Sequence, residues 1–264
     1  MAEATRTFGS PWPRALLGLV VALYLGIVLV APLGGLVVEA ISTASEDGGA
    51  TIDMVALREA FGRSLLLALI AAVANGAIGV GAGIVIARHR FIGRGVLDAL
   101  TDIPLAVSPV MIGLSFLILF GRDGWLEPIT TTFGMQVVFA FPGMALATLF
   151  VTLPYTTREV VYVLEEIGTS EEDAARTLGA STWLTFAKVT LPNLRYALGY
   201  GVLMTTARAL GEFGAVLVIG GSIAGVTQTA TTLVHDALEE RLNVTAYAVA
   251  GLLSLVSIVL LFAL

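Results

Sequence analysis

The sequence contains no cysteine and only two histidines, His89 and His235. Disulfide frameworks and thiolate metal centres are therefore excluded, and two isolated imidazoles give no metal cluster. Charge is scarce: 13% of residues are Asp, Glu, Lys or Arg, against about a quarter in soluble domains. No G-x-x-x-x-G-K-[ST] run occurs, so this chain has no phosphate loop of that kind and no catalytic or cofactor residues follow from it. The alternating pattern of an outer-membrane barrel strand is missing as well.

What the sequence has in abundance is hydrocarbon. It is 57% hydrophobic with a mean hydropathy of +0.92. Six apolar runs are long enough to cross a bilayer, which takes about 20 helical residues: Leu16–Val38, Ser64–Ala87, Ile103–Gly121, Val137–Tyr155, Ala197–Gly220 and Val244–Leu264. Backbone in lipid must satisfy its own hydrogen bonds, so these runs are expected to be helices. The expected fold is an all-α membrane bundle forming one transmembrane domain over residues 1–264. The first run is longer than a signal-peptide core and no small-residue cleavage site follows it, so it reads as a retained helix.

Arginine and lysine orient the bundle. Arg6, Arg14, Arg88, Arg90, Arg94, Arg158, Arg176, Lys188 and Arg195 fall in one set of loops, nine in all; Arg58, Arg63, Arg122 and Arg241 fall in the other. The positive-inside rule puts the set of nine in the cytoplasm, and both termini with it. The net charge of −6 reflects acidic outer loops, Glu46 and Asp47 among them. Lipid is the surrounding partner, and nothing in the chain suggests nucleic acid.

The stretch 156–195 is too long for a bundle turn, and within it Asp173–Pro192 reads as two capped helices. Ser170 and Asp173 have the spacing of a capping box, Ala174 and Ala175 favour helix, and Gly179 supplies a left-handed terminus. A second helix starts at Ser181 and is expected to stop near Leu191, ahead of Pro192. By itself this could be a surface hairpin or a docking element.

Ionisable residues inside spans are functional candidates. Arg208 lies inside the fifth run, and Glu212 four residues later shares its helical face; the pair reads either as a gate or as a structural lock. Thr205 and Thr206 offer hydroxyls nearby. In the third run Pro104 and Pro109 interrupt the helical ladder around Ser108, which either lines a pathway or marks a packing kink. Gly113 permits a close helix contact, and Pro142 and Pro154 bracket the fourth run.

The island's spacing resembles the EAA loop of ABC-importer permeases: Asp173-Ala174-Ala175, then Gly179, then Val189-Thr190-Leu191-Pro192. Asp173 stands where that family usually has glutamate. The segments Asp102–Val110 (DIPLAVSPV), Phe150–Pro154 with Arg158-Glu159-Val160, Ala207–Val216 (ARALGEFGAV) and Gly221-Ser222-Ile223 resemble the W-type (CysW-like) permeases of sulfate/thiosulfate ABC importers. The ARALGEFGA segment also occurs in molybdate/tungstate permeases, which keeps that cargo as the alternative. The resemblance implies a six-helix importer bundle of the MetI-like type in a prokaryotic inner membrane. Asp173, Ala174, Ala175, Gly179, Leu191 and Pro192 would dock into two copies of a cytoplasmic ATPase, which bind the ATP-Mg. A T-type permease subunit would complete a heterodimer, and an extracytoplasmic sulfate-binding protein would set specificity. Arg208, Glu212, Ser108 and Thr205 would line or gate the path. An autonomous secondary transporter would have no use for the island, and a membrane enzyme would show clustered His, Asp or Glu.

Overall fold

Proline, glycine and buried threonine, more than hydropathy, decide where these helices begin and bend. The computed structural model describes residues 11–46 and 52–262. Expectations that rest on Arg6, Asp47 and the last two residues of the sixth run lie outside the described residues.

The first run forms α1 (Pro11–Leu25), a π-helical turn (Gly26–Val30) and α2 (Ala31–Glu46), and α2 lies along the last helix. The second run belongs to α3 (Met54–Arg88), which begins ten residues earlier than its apolar stretch. Asp53 is the reason: its carboxylate accepts the Val55 and Ala56 N–H groups at 2.8 and 3.1 Å, capping the helix ahead of the hydrocarbon.

The third run is not one straight span. α4 (Arg94–Ala106) ends at Val107, and α5 (Pro109–Phe120) leaves at 111° to it. Pro109 has no N–H and sits at the start of α5, where none is needed. A short helix, α6 (Glu127–Thr132), precedes α7 (Phe141–Ile167). α7 has Pro142 in its first turn as expected but passes through Pro154 and continues to Ile167. Pro154 is thus no helix end, and the stretch between α7 and the fifth run starts near Gly168 rather than at residue 156. Dense packing on both flanks holds α7 helical despite the lost ladder bond.

After α7 come α8 (Ser170–Thr177), α9 (Thr182–Thr185), a second π-helical turn (Phe186–Thr190) and α10 (Leu191–Asn193). The fifth run divides into α11 (Arg195–Leu210) and α12 (Gly214–Gly220), bent by 55°. α13 (Ala230–Glu239) and α14 (Asn243–Phe262) complete the chain.

At the centre, α7 packs between α3 and α11. The three approach closely because glycine faces threonine: a Cβ on Gly79 would lie 2.9 Å from Thr156 Cγ2, and one on Gly201 2.9 Å from Thr156 Cα. Asn75 donates to the Leu149 carbonyl at 3.0 Å and to Thr152 Oγ1 at 2.8 Å, and Thr156 bonds Thr205 at 3.0 Å. The two bent pairs meet in the same way, with Gly113 of α5 against the Ala215 backbone and Gly214 of α12 against Val110.

Among the described residues, Ala15–Thr43, Met54–Arg88 and Asn243–Leu260 are long and apolar enough to cross a membrane alone, and the bent pairs bring the total to five at most. α7 covers the remaining run. It has the length, but it carries fully buried Thr148, Thr152, Thr156 and Thr157. A helix enclosed by other helices can be this polar, since its hydroxyls meet protein rather than lipid.

Candidate functional site: a clamped two-helix island

Three successive acids, Glu171, Glu172 and Asp173, occupy the first turn of α8, where the positive end of the helix favours them. Their surroundings differ sharply. Glu172 is buried and Asp173 is exposed, paired only with Arg176 at 3.5 Å. The expected capping box is not formed: Thr169 precedes the helix, and no side chain caps it. Asp173 caps no backbone N–H of α8, and its carboxylate pairs with Arg176 instead.

Glu172 ties the island to the bundle. Its Oε1 accepts the Thr190 hydroxyl at 2.9 Å, and its Oε2 lies 3.1 Å from Arg88 Nε. That second contact is an ion pair without hydrogen-bond alignment. Arg88 also donates to the Leu164 carbonyl at 2.6 Å and to the Gly168 carbonyl at 2.7 Å, which closes the end of α7. One guanidinium therefore joins the ends of α3 and α7 to α8. Glu171 accepts Asn193 Nδ2 at 2.6 Å, so α8 is also joined to α10.

The turn between the two helices is built as the sequence suggests. Gly179 has φ +87°, with the Gly179 N–H on the Arg176 carbonyl and the Ala180 N–H on the Ala175 carbonyl, each at 3.0 Å. Ser181 caps α9, accepting the Leu184 N–H at 3.3 Å. The expected stop at Leu191 does not occur. Leu191 stays helical, and its N–H reaches back five residues to the Phe186 carbonyl. This wider turn puts Pro192 at the start of a fresh helical turn, where its missing N–H costs little.

The island's outer face is apolar and uncovered. Leu178 is 90% exposed and Trp183 74%, and Leu184, Leu191, Ala174, Gly179 and Pro192 are exposed too, with Ala175 half-buried. Further back along α7, Arg158 grips α4. Its Nε donates to Asp102 at 2.6 Å, Nη1 to Asp98 at 2.6 Å and Nη2 to the Asp98 carbonyl at 2.9 Å.

The residues expected on a pathway lie along α11 and its break, and at the α4–α5 corner whose Pro109 and Val110 pack against Gly214. Arg208 Nη1 lies 2.7 Å from Glu212 Oε2, so the pair forms. It does not sit on one continuous helix, because α11 ends at Leu210. Glu212 is almost fully buried, and its Oε1 accepts the Ala215 N–H at 2.9 Å in the first turn of α12. Thr231 also donates to the Glu212 carbonyl at 2.7 Å. The pair thus bridges the break between α11 and α12. Thr205 is buried against Thr156, away from any open surface, and Thr206 bonds back to Val202. Ser108 is exposed at the corner between α4 and α5.

Glu172 and Arg88 were not singled out from the sequence. Glu172 adjoins the acid that fits the loop spacing, and Arg88 reads as a positive-inside anchor. The available signal was the run of three acids, which offers a buried and an exposed carboxylate one residue apart.

A bundle of bent helices with a clamped two-helix island at one end is the architecture of a transport permease. Residues 79–264 match the family of binding-protein-dependent transport system inner membrane components, and the chain belongs to that family. It is 43% identical over 249 residues to the sulfate transport system permease protein CysW of Synechococcus elongatus, spanning 94% of this chain and 87% of that one. The sulfate transport system permease protein CysT of Escherichia coli K12 is 36% identical over 240 residues, 91% and 87% of the two chains. A bacterial alginate ABC transporter, solved in complex with an alginate pentasaccharide-bound periplasmic protein, shares the fold with a TM-score of 0.74 at 15% identity, covering 96% and 92%.

Proposed function

We propose that this chain is the W-type permease subunit of an ATP-driven importer that carries sulfate, and thiosulfate with it, across a prokaryotic inner membrane. Both termini and the island face the cytoplasm, in keeping with the nine basic loop residues on that side. The observation that carries the reading is the clamped island: Arg88 and Glu172 fix its inner side to α3 and α7, while Leu178 and Trp183 stand uncovered on the other. An element held rigidly on one face and apolar on the other suits helix-in-groove docking. Its partner is a cytoplasmic ATPase, two copies per transporter, which binds ATP-Mg and whose closure the island passes to the bundle. A related T-type subunit completes a heterodimer, and a soluble sulfate-binding protein delivers the anion from outside. Sulfate is supported by the relatives' names over most of this chain's length.

The test is uptake of labelled sulfate by the reconstituted complex, with thiosulfate and molybdate as competitors. ATP-dependent sulfate uptake that thiosulfate suppresses and molybdate leaves largely intact is expected. Preferential molybdate uptake would refute the cargo, and uptake independent of any ATPase would refute the mechanism.

A further inference from the structure

Three arginines on the packed helices hold neighbouring elements together. Arg63 of α3 donates to the Gln228 and Gly225 carbonyls and to Glu59. Arg88 takes two carbonyls and Glu172, and Arg158 takes Asp98 and Asp102. Arg208 does none of this. Its one partner among the described residues is Glu212, through an ion pair that lacks hydrogen-bond alignment. A guanidinium carries five N–H donors, and here none serves another helix. The sealed, unbonded atom of the pair is Glu212 Oε2, whereas the Arg208 nitrogens stay accessible.

Glu212 does not need Arg208 to hold its place. Its Oε1 accepts the Ala215 N–H, its carbonyl accepts the Thr231 hydroxyl, and its own N–H donates to the Ala209 carbonyl at 3.2 Å. The acid is the fixed half of the pair and the arginine the free half. Arg208 also stands 13 residues after Arg195 and 12 before Gly220, at the middle of the broken span. The break beside it meets the other broken span, where Pro109 and Val110 press on Gly214 and exposed Ser108 makes no capping bond. Irregular backbone at membrane depth is tolerated only inside protein or along a water-filled cavity. The exposure of Ser108, and of 28% of the Arg208 side chain, favours the cavity. An open guanidinium fork there suits a tetrahedral oxyanion, two of whose oxygens can take two N–H groups side by side.

We infer that Arg208 is the ligand the transported anion takes at mid-membrane, and that Glu212 is the resident carboxylate the anion displaces. This rests on the sulfate-import reading above and gives that pathway its anion contact. The arrangement keeps the contact weak. A pathway site must release what it binds, and a fixed carboxylate 2.7 Å from the guanidinium repels a dianion while it is held. Arg208 pairs with Glu212 when the path is empty and with the anion when it is loaded.

The experiment uses the assembled permease–ATPase complex, in nanodiscs for binding of labelled sulfate and in liposomes with the binding protein for uptake. Glu212→Gln is expected to tighten sulfate binding by about tenfold, because a like charge is removed, and to slow uptake per ATP hydrolysed. Arg208→Gln should abolish binding and uptake, and Arg208→Lys, with the charge but not the fork, should keep a fraction of each. Since Arg208→Gln leaves a buried carboxylate bare, the double variant decides. Arg208→Gln with Glu212→Gln removes both charges and should melt near the wild type, yet carry no sulfate. Uptake restored in the double variant makes the pair a structural lock and overturns the inference, as does unchanged sulfate binding in Glu212→Gln. If Arg208→Gln separates this chain from its sister permease subunit, the fork belongs to that interface and the inference falls likewise. In all three cases the sulfate-import reading stands. A wild-type complex that takes up no sulfate with ATP overturns both.

Discussion

Removing Arg88 should detach the island without unfolding the bundle. In the native structure its guanidinium serves the carbonyls of Leu164 and Gly168 and the Glu172 carboxylate, and both charged side chains are at least nine-tenths buried. Arg88→Ala strands a buried carboxylate and two carbonyls. Deleting one partner of a buried ion pair costs about 3–5 kcal/mol, and each 1.4 kcal/mol is about tenfold in an equilibrium. Amide protection across residues 168–194 should therefore fall by about 100-fold or more, while the α3–α7–α11 core keeps its own. Hydrogen–deuterium exchange in nanodiscs reads this peptide by peptide. Arg88→Lys should fall between, because an ammonium cannot span three acceptors in a fixed fork. Arg88→Met combined with Glu172→Leu should recover most of the loss, since two apolar groups replace a buried pair at little net cost. Unchanged protection in Arg88→Ala would refute the clamp, and so would a double variant as labile as the sum of its parts.

Further outcomes follow from the packing. Gly83→Ala places a Cβ 2.5 Å from Val160 Cγ1, and the overpacking should cost about 1–3 kcal/mol; thermal melting should show the loss, and its relief by Val160→Ala. Gly179→Ala has free space around it but must hold φ at +87°. It should cost about 1–2 kcal/mol, seen as weaker coupling of ATP hydrolysis to uptake, with Gly179→Asn milder. Arg158→Ala breaks contacts to Asp98 and Asp102 that remain a third to a half exposed. Its cost should stay near about 1 kcal/mol and shrink at high salt, measured as the melting-temperature difference at two ionic strengths.

The island shows how far residue patterns reach. Gly179 and Ser181 mark the turn between the helices because φ > 0 and an N-cap are local demands that a single residue type meets. Pro192 misled for the converse reason. Its rule concerns the ladder bond it lacks, and a π-helical turn from Phe186 to Thr190 removed the need for that bond. Ser108 and the two prolines around it signalled a bend. The 111° angle, however, comes from where α5 finds α12, through glycines far apart in the sequence.

Composition and charge order determined the class of this molecule: long apolar runs demand helices in lipid, and a polar, capped stretch among them must lie outside it. Tertiary structure decided which of three adjacent acids is buried against the bundle. Neighbouring positions on a helix point about 100° apart, and only one of them faces an arginine 84 positions earlier in the chain. Burial and pairing of that kind depend on how α8 is rotated against α3 and α7. No local pattern encodes that rotation, because the helices that impose it are remote in sequence.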